Sequence, residues 1–133
     1  MFGANIGNFD PELTGLWNER LKNLGMDTIS AGSTIAWAME AAYNGIRESS
    51  LRFGEPASVS EVIEDIAFRR NEGAELADGT LRLSRRFGGE EYAIQVKGLE
   101  CAAYDPRAAW GQGLSYAVYN NGGCHLGSYL VGL

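Results

Sequence analysis

Residues 10–25 read DPELTGLWNERLKNLG, and this stretch predicts the first helix of a helix-rich chain. Asp10 is of a type that commonly caps a helix, Pro11 suits the first helical position, and Gly25 is a typical terminator. Five apolar residues recur with the helical period: Leu13, Leu16, Trp17, Leu21 and Leu24. We therefore expect a helix from about Asp10 to Leu24 whose apolar stripe packs in a core.

The rest of the chain also favours helices. Four more are expected, from about Ala31 or Ser33 to Asn44, from Ser58 to Glu72-Gly73, from Thr80 to Phe87, and from about Pro106 to Tyr119. SVSE at 58–61 has the spacing of a capping box. Glu91–Leu99 alternates like a strand. The predicted fold class is mainly α, or α+β with few strands, in a single helix-rich domain over residues 1–133.

Composition excludes several classes of function. The chain has 133 residues and a formal net charge of −6, which does not suit a nucleic-acid surface. Its densest basic run, RLSRR at 82–86, is interpreted as a solvated helix face. No apolar run of about 18 residues predicts a membrane span, and the N-terminus does not resemble a signal peptide. Cys101 and Cys124 are the only cysteines, so a reduced, cytoplasmic protein is expected.

Tyr104 and His125 are the candidate catalytic residues. His125 is the only histidine, and one histidine with two cysteines predicts no protein-held metal site. Each ring has an ordinary interpretation: a packed tyrosine and a structural histidine. Together they could transfer a proton and bind a carbonyl oxygen, because imidazole titrates near neutrality and a phenol donates a hydrogen bond. We predict that the two side chains face one cavity.

Three neighbouring features bear on this site. Asp105 and Arg107 could pair and fix the loop after Tyr104, and Gly122-Gly123 would let the backbone approach a ligand closely. Asp27 has two interpretations, as the cap of the following helix or as an acceptor for N–H groups of a ligand ring.

Five stretches resemble the tungsten-pterin aldehyde ferredoxin oxidoreductase family. They are LGMDTIS at 24–30, AWAMEAAYNGI at 36–46, LRFGE at 51–55, VKGLE followed by AYDPR at 96–107, and GLSYAVYNNGGCH at 113–125. Their order is similar to that of the helix-rich middle region of those enzymes. The resemblance implies oxidation of aldehydes to carboxylic acids, with electrons passing through a [4Fe-4S] cluster to ferredoxin.

The same resemblance implies roles for individual residues. Tyr104 and His125 match positions beside the metal, and Asp27 with Met26 matches the end of a DxxGLD motif that binds a pterin. Asn121 stands where a basic residue often precedes the glycines, and Lys22 replaces the first acid of that motif. Two pterins, not side chains, hold the tungsten or molybdenum in such enzymes.

The sequence therefore predicts a fragment or split subunit of such an enzyme. No counterpart of the family's β-rich domain or of its clustered cysteines is seen, so the chain alone is expected to bind none of these cofactors and to be inactive. Expected partners are the other oxidoreductase domains or subunits and ferredoxin, with self-association through the apolar residues 126–133 as a further expectation. The alternative is a stand-alone, non-catalytic domain that binds a protein partner.

Overall fold

The computed structural model describes residues 1–104, 106 and 108–127, and all structural statements refer to these. The helices are α1 (Pro11–Asn23), α2 (Thr28–Tyr43), α3 (Val59–Phe68), α4 (Gly73–Leu76), α5 (Thr80–Phe87) and α6 (Trp110–Val118). Strands β1 (Gln95–Val96) and β2 (Leu99–Glu100) form an antiparallel hairpin, and 3-10 turns lie at Ala4–Ile6, Pro56–Ser58 and Glu90–Tyr92. The predicted mainly helical class is confirmed. The predicted Asp105–Arg107 pair lies outside the described residues, and so does most of the predicted contact segment 126–133.

Helix α1 follows its prediction closely. The Asp10 carboxylate accepts hydrogen bonds from the backbone N–H groups of Glu12 and Leu13, at 2.8 and 3.2 Å. Trp17 is buried and donates its indole N–H to the Ser60 hydroxyl over 2.7 Å, which ties α1 to α3. The core prediction is wrong for Leu16, which is exposed, because it lies about 100° around the helix from Trp17.

Helix α2 is the central helix. It packs against α1, α4, α5 and β2, and almost every side of it is covered. It begins at Thr28, earlier than the predicted Ala31 or Ser33, because Asp27 caps it. The Asp27 carboxylate accepts a hydrogen bond from the Ser30 N–H at 2.7 Å. The capping interpretation of Asp27 is therefore confirmed.

The third predicted helix differs from the structure at both ends. Ser58 closes a 3-10 turn with helical angles (φ −82°, ψ −13°) and makes no side-chain cap, so the capping-box prediction is wrong. The helix ends at Phe68 instead of Glu72, because Arg69 adopts a left-handed conformation at φ +49°. Gly73 then begins α4, where any side chain would collide with the backbone of Asp65.

The predicted strand over Glu91–Leu99 is shorter than expected. Glu90–Tyr92 is a 3-10 turn, and only Gln95–Val96 pairs with Leu99–Glu100. Lys97 at φ +57° and Gly98 at φ +84° form a two-residue reversal between them. These left-handed residues stop the alternating pattern after Val96.

Helix α5 matches its predicted bounds, whereas helix α6 begins later than predicted. Helix α5 has the predicted bounds, and its arginines lie on a solvated face. Helix α6 begins at Trp110, later than Pro106, because Pro106 belongs to a preceding turn in which its carbonyl accepts the Ala109 N–H at 3.2 Å. The inward side of α6 carries Gln112, Ser115 and Tyr116.

Candidate functional site

A cavity of about 290 Å³ lies between the start of α2 and the hairpin. The LGMDTIS stretch contributes Met26, Asp27 and Ser30 to its wall, and the KGLE stretch contributes Gly98 and Glu100. Two segments that are far apart in the sequence therefore meet at one site. Met26 and Asp27, predicted as cofactor-binding residues, both line this cavity.

Glu100 is fixed in this wall by the start of α5. Its buried carboxylate accepts hydrogen bonds from the Thr80 N–H at 2.9 Å and from the Thr80 hydroxyl at 3.0 Å. Gly79, which precedes the helix, has no side chain that could cap it, so β2 supplies the cap. A carboxylate is also favoured there by the helix dipole. Glu100 thus holds the hairpin against α5.

The charges of this cavity define what it could bind. Asp27, Asp78 and Glu100 all line it, and Asp78 also pairs with Arg69 at 3.0 Å. Carboxylate oxygens accept hydrogen bonds from ring N–H and amino groups and repel phosphates. The arrangement suits a ligand that donates N–H groups to these carboxylates.

Tyr104 meets a second tyrosine from α6. The buried Tyr116 hydroxyl donates a hydrogen bond to the hydroxyl of half-buried Tyr104, at 3.1 Å between oxygens. Cys101, Ala102 and Ala103, just before Tyr104, line a second cavity of about 320 Å³ together with Trp37 and Glu40 of α2 and other residues. The candidate catalytic tyrosine therefore joins its loop to α6, and the residues just before it line a cavity with α2.

Titratable groups around Tyr116 are kept protonated. Burial, and then the hydrogen bond and charge of Tyr104, hold the pKa of the Tyr116 phenol far above its usual value, and both cysteines add to this. Burial, followed by the charge of Glu100, raises the pKa of the Cys101 thiol. Tyr116 and Cys101 are thus neutral near pH 7, so Tyr116 remains a donor to Tyr104.

The loop that carries His125 lies against the hairpin. A side chain at Gly122 would collide with the Val96 carbonyl, and one at Gly123 would come within 2.6 Å of the Leu99 carbonyl. The Lys97 ammonium also donates a hydrogen bond of 2.8 Å to the Tyr119 carbonyl, which holds the loop to the hairpin. Gly122 and Gly123 therefore allow close contact with the backbone of the hairpin, which is a structural reason for glycine at both positions.

The other two predicted residues, Asn121 and His125, lie in this loop. Asn121 is exposed and His125 is half-buried. Gly123 approaches the Cys101 sulfur, so this loop and the loop of Tyr104 are close neighbours. That the Tyr104 and His125 rings share one cavity stays a prediction, and so do the roles of all five predicted site residues.

Sequence reasoning missed Glu100 and Tyr116. Glu100 ends the KGLE stretch, and the only signal for it in the sequence is an acid two residues after the turn glycine Gly98. Tyr116 was placed in a helix without a role, and nothing in the sequence pairs it with Tyr104.

Within residues 1–104, 106 and 108–127, no group of three or more His, Cys, Asp or Glu side chains could hold a metal ion. Neither cysteine is in a disulfide. In the same part of the chain, every helix is too short or too polar to cross a membrane.

Comparison with known proteins identifies the family. The sequence model for "Aldehyde ferredoxin oxidoreductase, domains 2 & 3" matches residues 1–133. The chain belongs to the aldehyde ferredoxin oxidoreductase family. It is 40% identical over 136 residues to the tungsten-containing aldehyde ferredoxin oxidoreductase of Thermococcus kodakarensis, and 42% identical to that of Pyrococcus furiosus.

These relatives are much longer. In both cases the match covers 97% of this chain but only 22% of the relative, so the chain spans about a fifth of their length. A more distant relative, the "Aliphatic sulfonate oxidoreductase, WOR-like subunit" of Pyrococcus furiosus, is 28% identical over 136 residues. The predicted resemblance to this family is confirmed.

Proposed function

We propose that residues 1–133 form one helix-rich domain of a tungsten- or molybdenum-pterin aldehyde:ferredoxin oxidoreductase, as a fragment or split subunit. The complete enzyme would oxidise an aldehyde to a carboxylic acid. One observation carries the proposal: in a member of this family, LGMDTIS and KGLE converge on a single cavity. The relatives named as tungsten-containing support the choice of metal.

The residues of this cavity fit a pterin. Asp27 and Glu100 would accept hydrogen bonds from ring N–H and amino groups, while Met26 would contact the ring face. The Ser30 N–H occupies one oxygen of Asp27, and a carboxylate has a second oxygen for a ligand. When bound, the metal–pterin group would supply the two-electron chemistry of aldehyde oxidation.

The residues do not fit a [4Fe-4S] cluster. Such a cluster is held by four thiolates, and this sequence contains two cysteines, Cys101 and Cys124. We therefore assign the cluster and the contact with ferredoxin to other parts of the complete enzyme. Two thiols without a disulfide suit a cytoplasmic location.

Tyr104 and His125 would act on the substrate. The Tyr116 hydroxyl fixes the position of the Tyr104 oxygen, so the phenol of Tyr104 would orient the aldehyde oxygen. His125 would hold or move a proton, which an imidazole can do near neutral pH. Asn121, exposed at the start of the same loop, would contact the cofactor from that side.

A chimera tests this function. Residues 1–133 replace the matched segment of the Pyrococcus furiosus enzyme, and tungsten per chain and aldehyde oxidation with ferredoxin are measured. We expect tungsten and activity to be retained. His125→Ala should lower the rate by more than about tenfold, since proton-transfer groups contribute 10²–10⁴-fold. Glu19→Ala on the exposed side of α1 is the control. A folded chimera without tungsten would contradict the proposal.

A non-catalytic domain that binds a protein partner is the second candidate. The observation in its favour is the exposed apolar side of α6. Tungsten incorporation by the chimera distinguishes the two, because a purely binding domain would not restore the cofactor site.

A further inference from the structure

Helix α6 exposes large apolar side chains along one side. Trp110, Leu114 and Val118 are 84%, 65% and 68% exposed. They lie at positions i, i+4 and i+8, so they form a single stripe on the helix surface. We call these three residues the α6 stripe.

The opposite side of α6 is the polar one. Gln112 and Ser115 are buried together with Tyr116, whose hydroxyl reaches Tyr104. A helix at a water-facing surface normally has the reverse arrangement, with apolar residues inward and polar residues outward. The α6 stripe therefore has the character of a surface that another part of a protein covers.

The sequence around α6 has no charged side chain. Residues 108–127 contain no Asp, Glu, Lys or Arg, although the whole chain contains 28 of them (11 basic and 17 acidic). The exposed sides of α1 and α5, by contrast, carry acids and arginines. A segment of this length without charge is typical of the buried side of a larger assembly.

We propose that the α6 stripe is the docking face for the remainder of an aldehyde ferredoxin oxidoreductase, an inference that rests on the proposed function. The matched relatives carry more than three quarters of their length outside the segment that corresponds to this chain. Tyr116 on the inner side of α6 contacts Tyr104, so a body docked on the outer side would lie one helix away from the candidate catalytic tyrosine.

Solvent labelling of Trp110 tests the proposal directly. Trp17 and Trp37 are buried, so Trp110 is the tryptophan that hydroxyl radicals should oxidise rapidly in this chain alone. In the chimera with the Pyrococcus furiosus enzyme, peptide mass spectrometry should show oxidation of Trp110 at least about tenfold slower. Equal oxidation in the chain and in the folded chimera would overturn the docking face.

A matched pair of variants gives a second readout. Leu114→Glu and Leu16→Glu each place a charge at an exposed leucine, 65% and 56% exposed, on different helices. Both should leave the unfolding midpoint of the isolated chain nearly unchanged. In the chimera, Leu114→Glu should lower the midpoint or the yield of folded enzyme, and Leu16→Glu should not. Equal tolerance of both variants would overturn the proposal.

Hydroxyl-radical labelling of the unaltered Pyrococcus furiosus enzyme gives the same measurement without the junctions of a chimera. Its segment aligned with residues 110–118 should be slow to react with hydroxyl radicals, and fast reaction there would count against docking. Tungsten content reports on the proposed function separately, because a chimera can protect Trp110 and still lack the metal.

A second copy of this chain is the other partner that could cover the α6 stripe. In sedimentation experiments on the isolated chain, Leu114→Glu should leave the oligomeric state unchanged. A dimer that protects Trp110 and is lost in that variant would assign the α6 stripe to a second copy instead, and would overturn the proposal.

Discussion

The hydroxyl of Tyr116 donates a hydrogen bond to the hydroxyl of Tyr104 over 3.1 Å. Tyr116 belongs to α6, and Tyr104 lies in the loop that follows β2, so this bond joins two segments of the candidate site. Because burial raises the pKa of the Tyr116 phenol, the hydroxyl keeps its proton near neutral pH and remains a donor.

Tyr116→Phe should weaken the fold modestly. The substitution keeps the buried ring and removes the donor to Tyr104, so the free energy of unfolding should fall by about 1 kcal/mol. Urea denaturation measures the change. Tyr43→Phe is the matched control, since Tyr43 is exposed and its loss of a hydroxyl should stay within about 0.5 kcal/mol. Equal effects of the two variants would contradict the buried bond.

Asp27→Ala should destabilise α2 through loss of its cap. The expected decrease in the free energy of unfolding is about 1 kcal/mol, and Asp10→Ala in α1 should behave similarly. Asp27→Asn keeps an acceptor for the Ser30 N–H and should retain most of the stability. In the chimera, loss of tungsten in Asp27→Asn with normal stability would separate a pterin contact from the cap.

Leu21→Ala and Leu16→Ala should differ strongly although both lie in α1. Leu21 is fully buried, so its truncation should cost about 2–5 kcal/mol, including the cavity it leaves. Leu16 is exposed, so the same substitution should cost less than about 1 kcal/mol. The two share the same change in helix propensity, and denaturant midpoints that agree would show that α1 is packed differently.

Glu72 should make the free energy of unfolding depend on pH in the acidic range. Burial raises the pKa of this carboxyl, but hydrogen bonds from Ser50 and Ser49 and the charge of Arg47 outweigh it and lower the pKa below 4.5. A group with a lowered pKa in the folded state stabilises above its unfolded pKa and loses that effect as pH falls through the folded pKa.

Glu72→Gln tests this sign. The stability difference between the native protein and the variant should be largest near neutral pH and should shrink as pH falls below about 4.5. Ser50→Ala, which removes the hydroxyl donor to the Glu72 carboxylate, should reduce the pH-dependent part. A difference that stays constant from neutral to acidic pH would refute the assignment.

Local signals predicted the helices well where the chain supplies its own caps. Asp10 and Gly25 bound α1, because caps and terminators act over a few residues. At α5 only the terminator Gly88 is local, since its N-terminal cap comes from Glu100 of β2. Two of the errors lie where the backbone adopts left-handed angles at ordinary residues. Arg69 ends α3 and Lys97 lies in the hairpin turn, and neither arginine nor lysine is a residue type that predicts a positive φ angle.

The site was predictable only in part, because it is built by contacts between segments that are distant in the sequence. Asp27 and Met26 could be named from LGMDTIS, but their meeting with Glu100 depends on how β2 packs on α2 and α5. The Tyr104–Tyr116 bond likewise depends on where α6 starts, which a turn at Pro106 delays. Sequence periodicity carries no information about such long-range contacts.

The contact of Gly122 and Gly123 with the hairpin has a consequence for how natural variation in this segment is interpreted. Even an alanine at either position would press a methyl group into a backbone carbonyl of Val96 or Leu99. Purifying selection should therefore keep both glycines in paralogues that have lost every redox partner, so a retained GG pair before Cys124 is no marker of surviving catalysis. Drift at His125, the candidate proton-transfer residue, is the more informative record.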